Sequence, residues 1–100
     1  MAQIYKLVVA KGQSHRWLQL PESERKSLWD KVNKAFEEVG GQRTMVCDSS
    51  WSSEEHPGFF IEIFPDVQAL QKYTAYLNEI NFLQYFDVLT VVGTASPMQA

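Results

Sequence analysis

The feature that most restricts this chain is that its β-like segments are apolar on both faces, while only two amphipathic helices are on hand to cover them. Successive strand residues point to opposite sides of a sheet, so a sheet with one helix-covered and one wet face alternates apolar with polar. Here Ile4, Val8 and Ala10 oppose Tyr5, Leu7 and Val9, and Phe59, Ile61 and Ile63 oppose Phe60, Glu62 and Phe64. In the last segment Phe86, Val88 and Val92 oppose Leu89 and Val91. Two helices cover one face of a four-stranded sheet. The second face then carries large side chains that nothing in the chain shields, each of which would contribute about 1.5–3 kcal/mol if buried. Such a patch is larger than most monomers tolerate. A second copy across a two-fold axis is the economical cover, so a homodimer is expected.

The elements behind that argument follow from local signals. Ile4 to Lys11 (IYKLVVAK) is dense in β-branched and aromatic residues and is closed by Gly12, which predicts a first strand. After a polar loop, Gln13 to Gln19, Pro21 and Glu22 suit the first turn of a helix running to about Val39. Leu28, Val32, Ala35, Phe36 and Val39 form its apolar stripe, and Gly40 and Gly41 end it. Arg43 to about Ser50 predicts a second strand, followed by the serine-rich loop SSWSSEEHPG. Gly58 to Phe64 (GFFIEIF) is the clearest strand, and Pro65 with Asp66 ends it and caps a second helix over roughly Val67 to Asn78. Asn81 to Tyr85 predicts a short turn or one helical turn, and Phe86 to Gly93 a fourth strand. The 100 residues thus make one domain, 1–95, with 96–100 expected as a mobile tail.

This order, β-α-β-β-α-β, is α+β and ferredoxin-like: a four-stranded antiparallel sheet with two helices on one face. With a two-sidedly apolar sheet and one cysteine, the chain resembles the dimeric α+β barrel superfamily, in which two sheets face each other. That superfamily holds cofactor-independent monooxygenases, muconolactone isomerase-like proteins, polyketide cyclases and stress-responsive proteins. Trp17-x-x-Leu20, Glu24-Arg25, Leu28, His56, Phe60, Pro65-Asp66 and Tyr85-Phe86 resemble a small subfamily within it. A weaker similarity is to small accessory proteins of prodigiosin-type pigment biosynthesis. No catalytic signature transfers residue by residue, so the resemblance implies fold far more than activity.

Among residues that could carry chemistry, Glu62 is the sharpest, because it stands mid-strand between Phe60 and Phe64. If Ile61 and Ile63 face the helices, Glu62 points into a dimer-side cavity, where desolvation would suit it to act as a general base. The alternatives are an ion pair with Arg43 or Lys6, or a solvated position at the cavity mouth. His56, before Pro57 and Gly58 and near Trp51, is the second catalytic candidate, since histidine can shuttle protons near neutral pH. A hairpin-loop histidine with no function is the other reading. Trp51, between two serine pairs, would cap the cavity or reach the partner subunit. His15 and Trp17 lie with Arg16 in the first connection, where they could meet an anionic or aromatic ligand, or where Trp17 and Leu20 simply pack beneath the first helix. Phe60, Phe64 and Tyr76 complete the expected aromatic contact set for a small planar apolar molecule. Cys47 and Asp48 alternate faces, so only one can look into a cavity.

The same composition argues against several classes. Nine basic and twelve acidic residues give a net charge of −3, with no field for nucleic acid. No segment reaches the roughly 18 apolar residues of a membrane span. Met1 to Ala10 carries only Lys6 for charge and is too short for a secretion signal, and Cys47 has no intrachain partner, so a cytoplasmic setting is expected. Two histidines and one cysteine without a ligand spacing give no metal site, and no glycine-rich loop holds a nucleotide, so no cofactor is expected. The expected function is therefore a homodimer that binds a small planar apolar molecule, either as a cofactor-free monooxygenase, isomerase or cyclase of secondary metabolism, or as a non-catalytic accessory protein of a biosynthetic pathway.

Overall fold

Which face of the sheet the helices cover is decided at Phe64, whose side chain is completely enclosed. The computed structural model describes residues 3–98. Its elements are β1 (Ile4–Gln13), α1 (His15–Gln19), α2 (Glu22–Glu38), β2 (Gln42–Asp48), β3 (Gly58–Phe64), α3 (Val67–Glu79), a 3-10 turn (Phe82–Tyr85) and β4 (Phe86–Gly93). The strands form one antiparallel sheet in the order β2-β3-β1-β4, the ferredoxin-like arrangement. The shortest axis of the molecule is only 17 Å, the depth of one sheet and one helical layer.

Local chemistry sets the boundaries. Pro21 stands immediately before α2, and Glu22 and Glu24 place negative charge in its first turn, where the helix dipole favours it. Gly40, at φ 80°, adopts the left-handed geometry that ends the helix, and its N–H donates to the Glu37 carbonyl. Asp66 caps α3 by accepting the Ala69 N–H at 2.8 Å. Asn81, at φ 54°, turns the chain out of α3 into the 3-10 turn.

Three expectations need correction. Gly12 does not close β1: the strand passes through it to Gln13, still paired with Asp87 and Phe86 of β4, with a register shift between Ala10 and Gly12. The polar connection is not all loop, because His15–Gln19 forms α1, seated by the Ser14 N–H donating to the Tyr85 carbonyl and by Trp17 beneath it. β2 begins at Gln42 and ends at Asp48, two residues short of Ser50, where Asp48 and Ser49 begin to bond to the loop instead. As for the expected tail, residues 96–98 are exposed and without regular structure, and 99–100 lie outside the described residues.

Phe64 meets the Phe36 ring of α2 edge-on at 5.5 Å and the Tyr73 ring of α3 at 5.7 Å. The pairing register then puts Ile4, Lys6 and Val8 of β1 with Phe64, Glu62 and Phe60 of β3 on that same, helix-covered face. A second aromatic cluster joins Trp17, Trp29, Phe82, Tyr85 and Phe86 at one corner, with Trp17 buried at 4.8 Å from Phe86. The opposite face carries Tyr5, Leu7, Val9, Phe59, Ile61, Ile63, Met45, Cys47, Leu89 and Val91. No described element lies over it, and Met45, Leu89 and Val91 are about half exposed. Replacing Phe64 by Ala removes the side chain that ties both helices to the sheet, and the expected loss is roughly 3–5 kcal/mol in urea unfolding. A loss near 1 kcal/mol would contradict its placement.

Candidate functional site

Among the described residues, the one buried charged side chain is Glu62, at 2% exposure. A carboxylate out of water must be paired, and the registers provide partners from both neighbouring strands: Lys6 of β1 and Arg43 of β2 both stand directly opposite it. Arg43 reaches this row through an irregularity in β2. Arg43 pairs with Glu62 and Val46 with Phe60, so three steps along β2 match two along β3, and Thr44 is the extra residue. The bulge therefore gives Arg43 and Val46 the same face, which regular alternation would not. It also settles Cys47 and Asp48: Cys47 pairs with Phe59 on the open face, and Asp48 with Gly58 at the hairpin end.

Within the row, Arg43 donates from Nη2 to Glu62 Oε2 at 3.0 Å, and Lys6 Nζ lies 4.0 Å from Oε1. The Arg43 guanidinium sits over the Phe36 ring at 4.7 Å and over Phe60 at 5.2 Å, and donates at 3.5 Å to Asn33 Oδ1. Its Nε has no acceptor. Lys6 Nζ stands 6.0 Å from the centre of the Tyr73 ring. Burial first, and the Glu62 charge second, push the Tyr73 phenol well above its ordinary value, with Arg43 opposing in part. Tyr73 thus stays a neutral hydroxyl beside two cations and one carboxylate.

The condition that would have aimed Glu62 at the dimer side is not met. Ile61 and Ile63 face away from the helices, and Glu62, Phe60 and Phe64 face them. Of the readings open for Glu62, the ion pair with Arg43 and Lys6 is the one present. The other named residues scatter. His56 is half-buried in the β2–β3 loop, its N–H donating to Ser53 Oγ at 3.2 Å and its carbonyl accepting from the Ser49 hydroxyl. Gly58 to Glu62 along an extended strand spans about 13 Å, so His56 and Glu62 share no partner and no common reacting position. Trp51 covers nothing in this chain: it is 84% exposed, with its indole N–H donating to the Asp48 carbonyl at 3.1 Å. Asp48 is held below the usual carboxylate range by the Ser50 hydroxyl and N–H that it accepts. Phe64 and Trp17 are core residues closed to a ligand, which for Trp17 is the packing alternative, and His15 is exposed at the start of α1. Tyr76 lines a crevice of about 340 Å³ between α2 and α3, with Tyr73, Ala35 and the stems of Lys31, Lys34 and Lys72.

Phe60, unlike Phe64, is half-buried, and Val46 beside it in the register is 72% exposed. Together they make the inner face's accessible apolar strip, next to the charged row. Among the described residues no three His, Cys, Asp or Glu side chains converge as a metal site, and no helix is long and apolar enough to cross a membrane. The role of Arg43 beside Phe36 and Asn33 was not legible beforehand, since it depends on the Thr44 bulge.

The sequence matches no protein-family model and no curated protein. The fold is similar to solved structures. A hypothetical protein from Arabidopsis thaliana superposes with a TM-score of 0.62 at 11% identity, over 100% of this chain and 94% of that one. The 30S ribosomal protein S6 of Thermotoga maritima superposes with a TM-score of 0.51 at 20% identity, over 93% of this chain and 89% of that one. These likenesses show the ferredoxin-like fold and nothing about activity.

Two outcomes test the row. Glu62→Gln leaves two cations without their counter-charge and is expected to cost about 3–5 kcal/mol, whereas the triple change Lys6→Met, Glu62→Met, Arg43→Met is expected to be near neutral in the same urea titration. Because the Tyr73 phenol ionises later in the folded than in the unfolded chain, whose phenol titrates near 10.0, the folded state holds the extra proton above that pH. Stability should therefore fall as pH rises past about 10, and Tyr73→Phe should remove that part of the fall.

Proposed function

We propose that this chain works as a face-to-face homodimer that holds a small planar apolar molecule between helices and sheet, on Phe60 beside the Lys6–Glu62–Arg43 row. The arrangement is that of the dimeric α+β barrel superfamily. The observation that carries it is the open face of ten large or sulfur-bearing side chains, with Gln42 and Asp87 at its diagonal corners. If completing the burial of each contributes on the order of 1 kcal/mol, two copies gain about 20 kcal/mol, above the roughly 4–15 kcal/mol that association costs. Pairing the sheets leaves Phe60 and Val46, on the helix side, outside the interface.

A second reading, a non-catalytic accessory or interaction protein of a biosynthetic pathway, draws support from a different observation. Glu62 is committed to two cations and shares nothing with His56, so the two groups best suited to acid–base work do not form one centre. Meanwhile Trp51 is displayed on a loop fixed by the Asp48, Ser49 and Ser53 hydrogen bonds. Under this reading the dimer stands, and the open-face aromatics only seal it.

Light scattering at micromolar concentration should give twice the 11.5 kDa chain mass. Ile61→Glu, in the middle of the open face, should give the single-chain mass with helix and sheet content intact. A wild-type mass of one chain would sink the proposal.

A further inference from the structure

Two features that lie far apart in the fold match each other, and the first is the β2–β3 loop. Trp51 stands 84% exposed on it, yet the loop itself is tied down. The Ser52 and Ser53 N–H groups donate to the Ser49 carbonyl at 3.0 and 2.9 Å, the Ser49 N–H donates to the Pro57 carbonyl at 3.1 Å, and the indole N–H is engaged by the Asp48 carbonyl. A ring held out on an ordered loop loses little freedom when it docks, and tryptophan is among the side chains enriched at the energetic centre of interfaces. Asp48, Glu54 and Glu55 are exposed on the same loop, and no Lys or Arg occurs between Arg43 and Lys72. The loop thus presents an apolar ring in acidic surroundings.

The second feature is the crevice of about 340 Å³ between α2 and α3. Ala35, Val39, Tyr73 and Tyr76, all buried or half-buried, make its floor, and exposed Lys31, Lys34 and Lys72 stand at its rim against the single acid Glu38. Its volume falls in the range of about 300–1,000 Å³ that ring-bearing ligands occupy, so one indole has room there. The seven residues of β2 set the loop about 20 Å from the α2 end of the crevice, so the loop cannot fill the crevice of its own chain.

We propose that the Trp51 loop of one copy docks in the α2–α3 crevice of another, the indole against Ala35, Val39 and Tyr76, with Glu54 and Glu55 against Lys34 and Lys72. The charges are opposite in sign, and an apolar ring meets an apolar floor. Because the two surfaces differ, the contact is head-to-tail, and it adds to a sheet-face dimer rather than replacing it. The crevice lies on the helix side, so the contact stands whether or not the sheet faces pair. One aromatic anchor with a charged rim belongs among the small, transient interfaces, with a dissociation constant on the order of 0.1–1 mM, above the micromolar range in which the sheet-face mass is read.

The test separates loop from crevice in two full-length chains. An isotope-labelled chain with Trp51→Ser keeps the crevice and lacks the ring, and an unlabelled chain with Lys34→Glu and Lys72→Glu keeps the ring and lacks the basic rim. All three positions are exposed, so circular dichroism of both chains should match the wild type. Adding the second chain to the first, up to about 1 mM, should shift the amides of Ala35, Val39 and Tyr76. Adding unlabelled Trp51→Ser chain should shift nothing, which removes sheet-face pairing as a source of signal, since every chain keeps that face. Glu54→Gln with Glu55→Gln on the added chain should weaken binding at least about threefold. Absence of shifts at the crevice overturns the proposal, and so does an affinity unchanged by the two glutamines. Shifts confined to Leu89 and Val91 overturn it as well, because they put Trp51 on a partner's sheet face.

Discussion

Everything in this fold follows from the register of β1 against β3, the two central strands. That pairing sets Ile4 against Phe64, Lys6 against Glu62 and Val8 against Phe60, all on the face the helices cover. Had the pairing been shifted by one residue, Glu62 would have been turned to the opposite face and Phe64 away from Phe36 and Tyr73. The register therefore fixes at once which aromatic rings knit the helices to the sheet and which charges are shut in with them. Once Glu62 lies at 2% exposure, Lys6 and Arg43 are required, since a buried carboxylate without them would have to give up its charge.

Most of the element order was legible, because each boundary has its own chemistry. β3 and β4 run from Gly58 to Phe64 and from Phe86 to Gly93 as their β-branched and aromatic content predicts, and Pro21, Gly40 and Asp66 mark helix ends as expected. What could not be read was the choice between faces. GFFIEIF is apolar on both sides, so its pattern is equally consistent with Ile61 or Phe60 facing the helices, and the choice was made by packing volume: Phe64 fits between Phe36 and Tyr73. Gly12 misled for a related reason. Glycine signals a strand end by entropy, but β4 offers a continuing ladder partner, and tertiary pairing outweighs a propensity of about 1 kcal/mol.

The candidate site was legible in its chemistry and not in its geometry. A lone carboxylate in an apolar strand stands out in any sequence, and Lys6 and Arg43 were named as its possible partners. The bulge at Thr44 that aims Arg43 left no mark, because Gln-Arg-Thr-Met-Val reads as an unbroken strand. His56, Trp51, His15 and Trp17 drew notice through side-chain type alone. Side-chain type says what a group can do, whereas the hairpin and the α1 corner decide what it can reach, and they hold these four away from Glu62.

The molecule inverts the usual distribution of a two-layer α+β domain. A charged row lies beneath the helices beside the apolar core, and the bare sheet face is apolar where ordinary patterning would make it polar. Each half of that inversion is costly alone: an apolar sheet in water promotes association, and a buried triad is often no more stable than packed hydrocarbons of the same volume. The two halves have different remedies, however. Apolar surface is relieved by any matching apolar surface, which a second copy supplies by symmetry. The cations beneath the helices are relieved by Glu62 and by water, since Lys6 and Arg43 keep 13% and 27% of their side chains open to solvent. A second copy would therefore cover the apolar face and leave the charged row as it stands, because the two lie on opposite sides of the same strands.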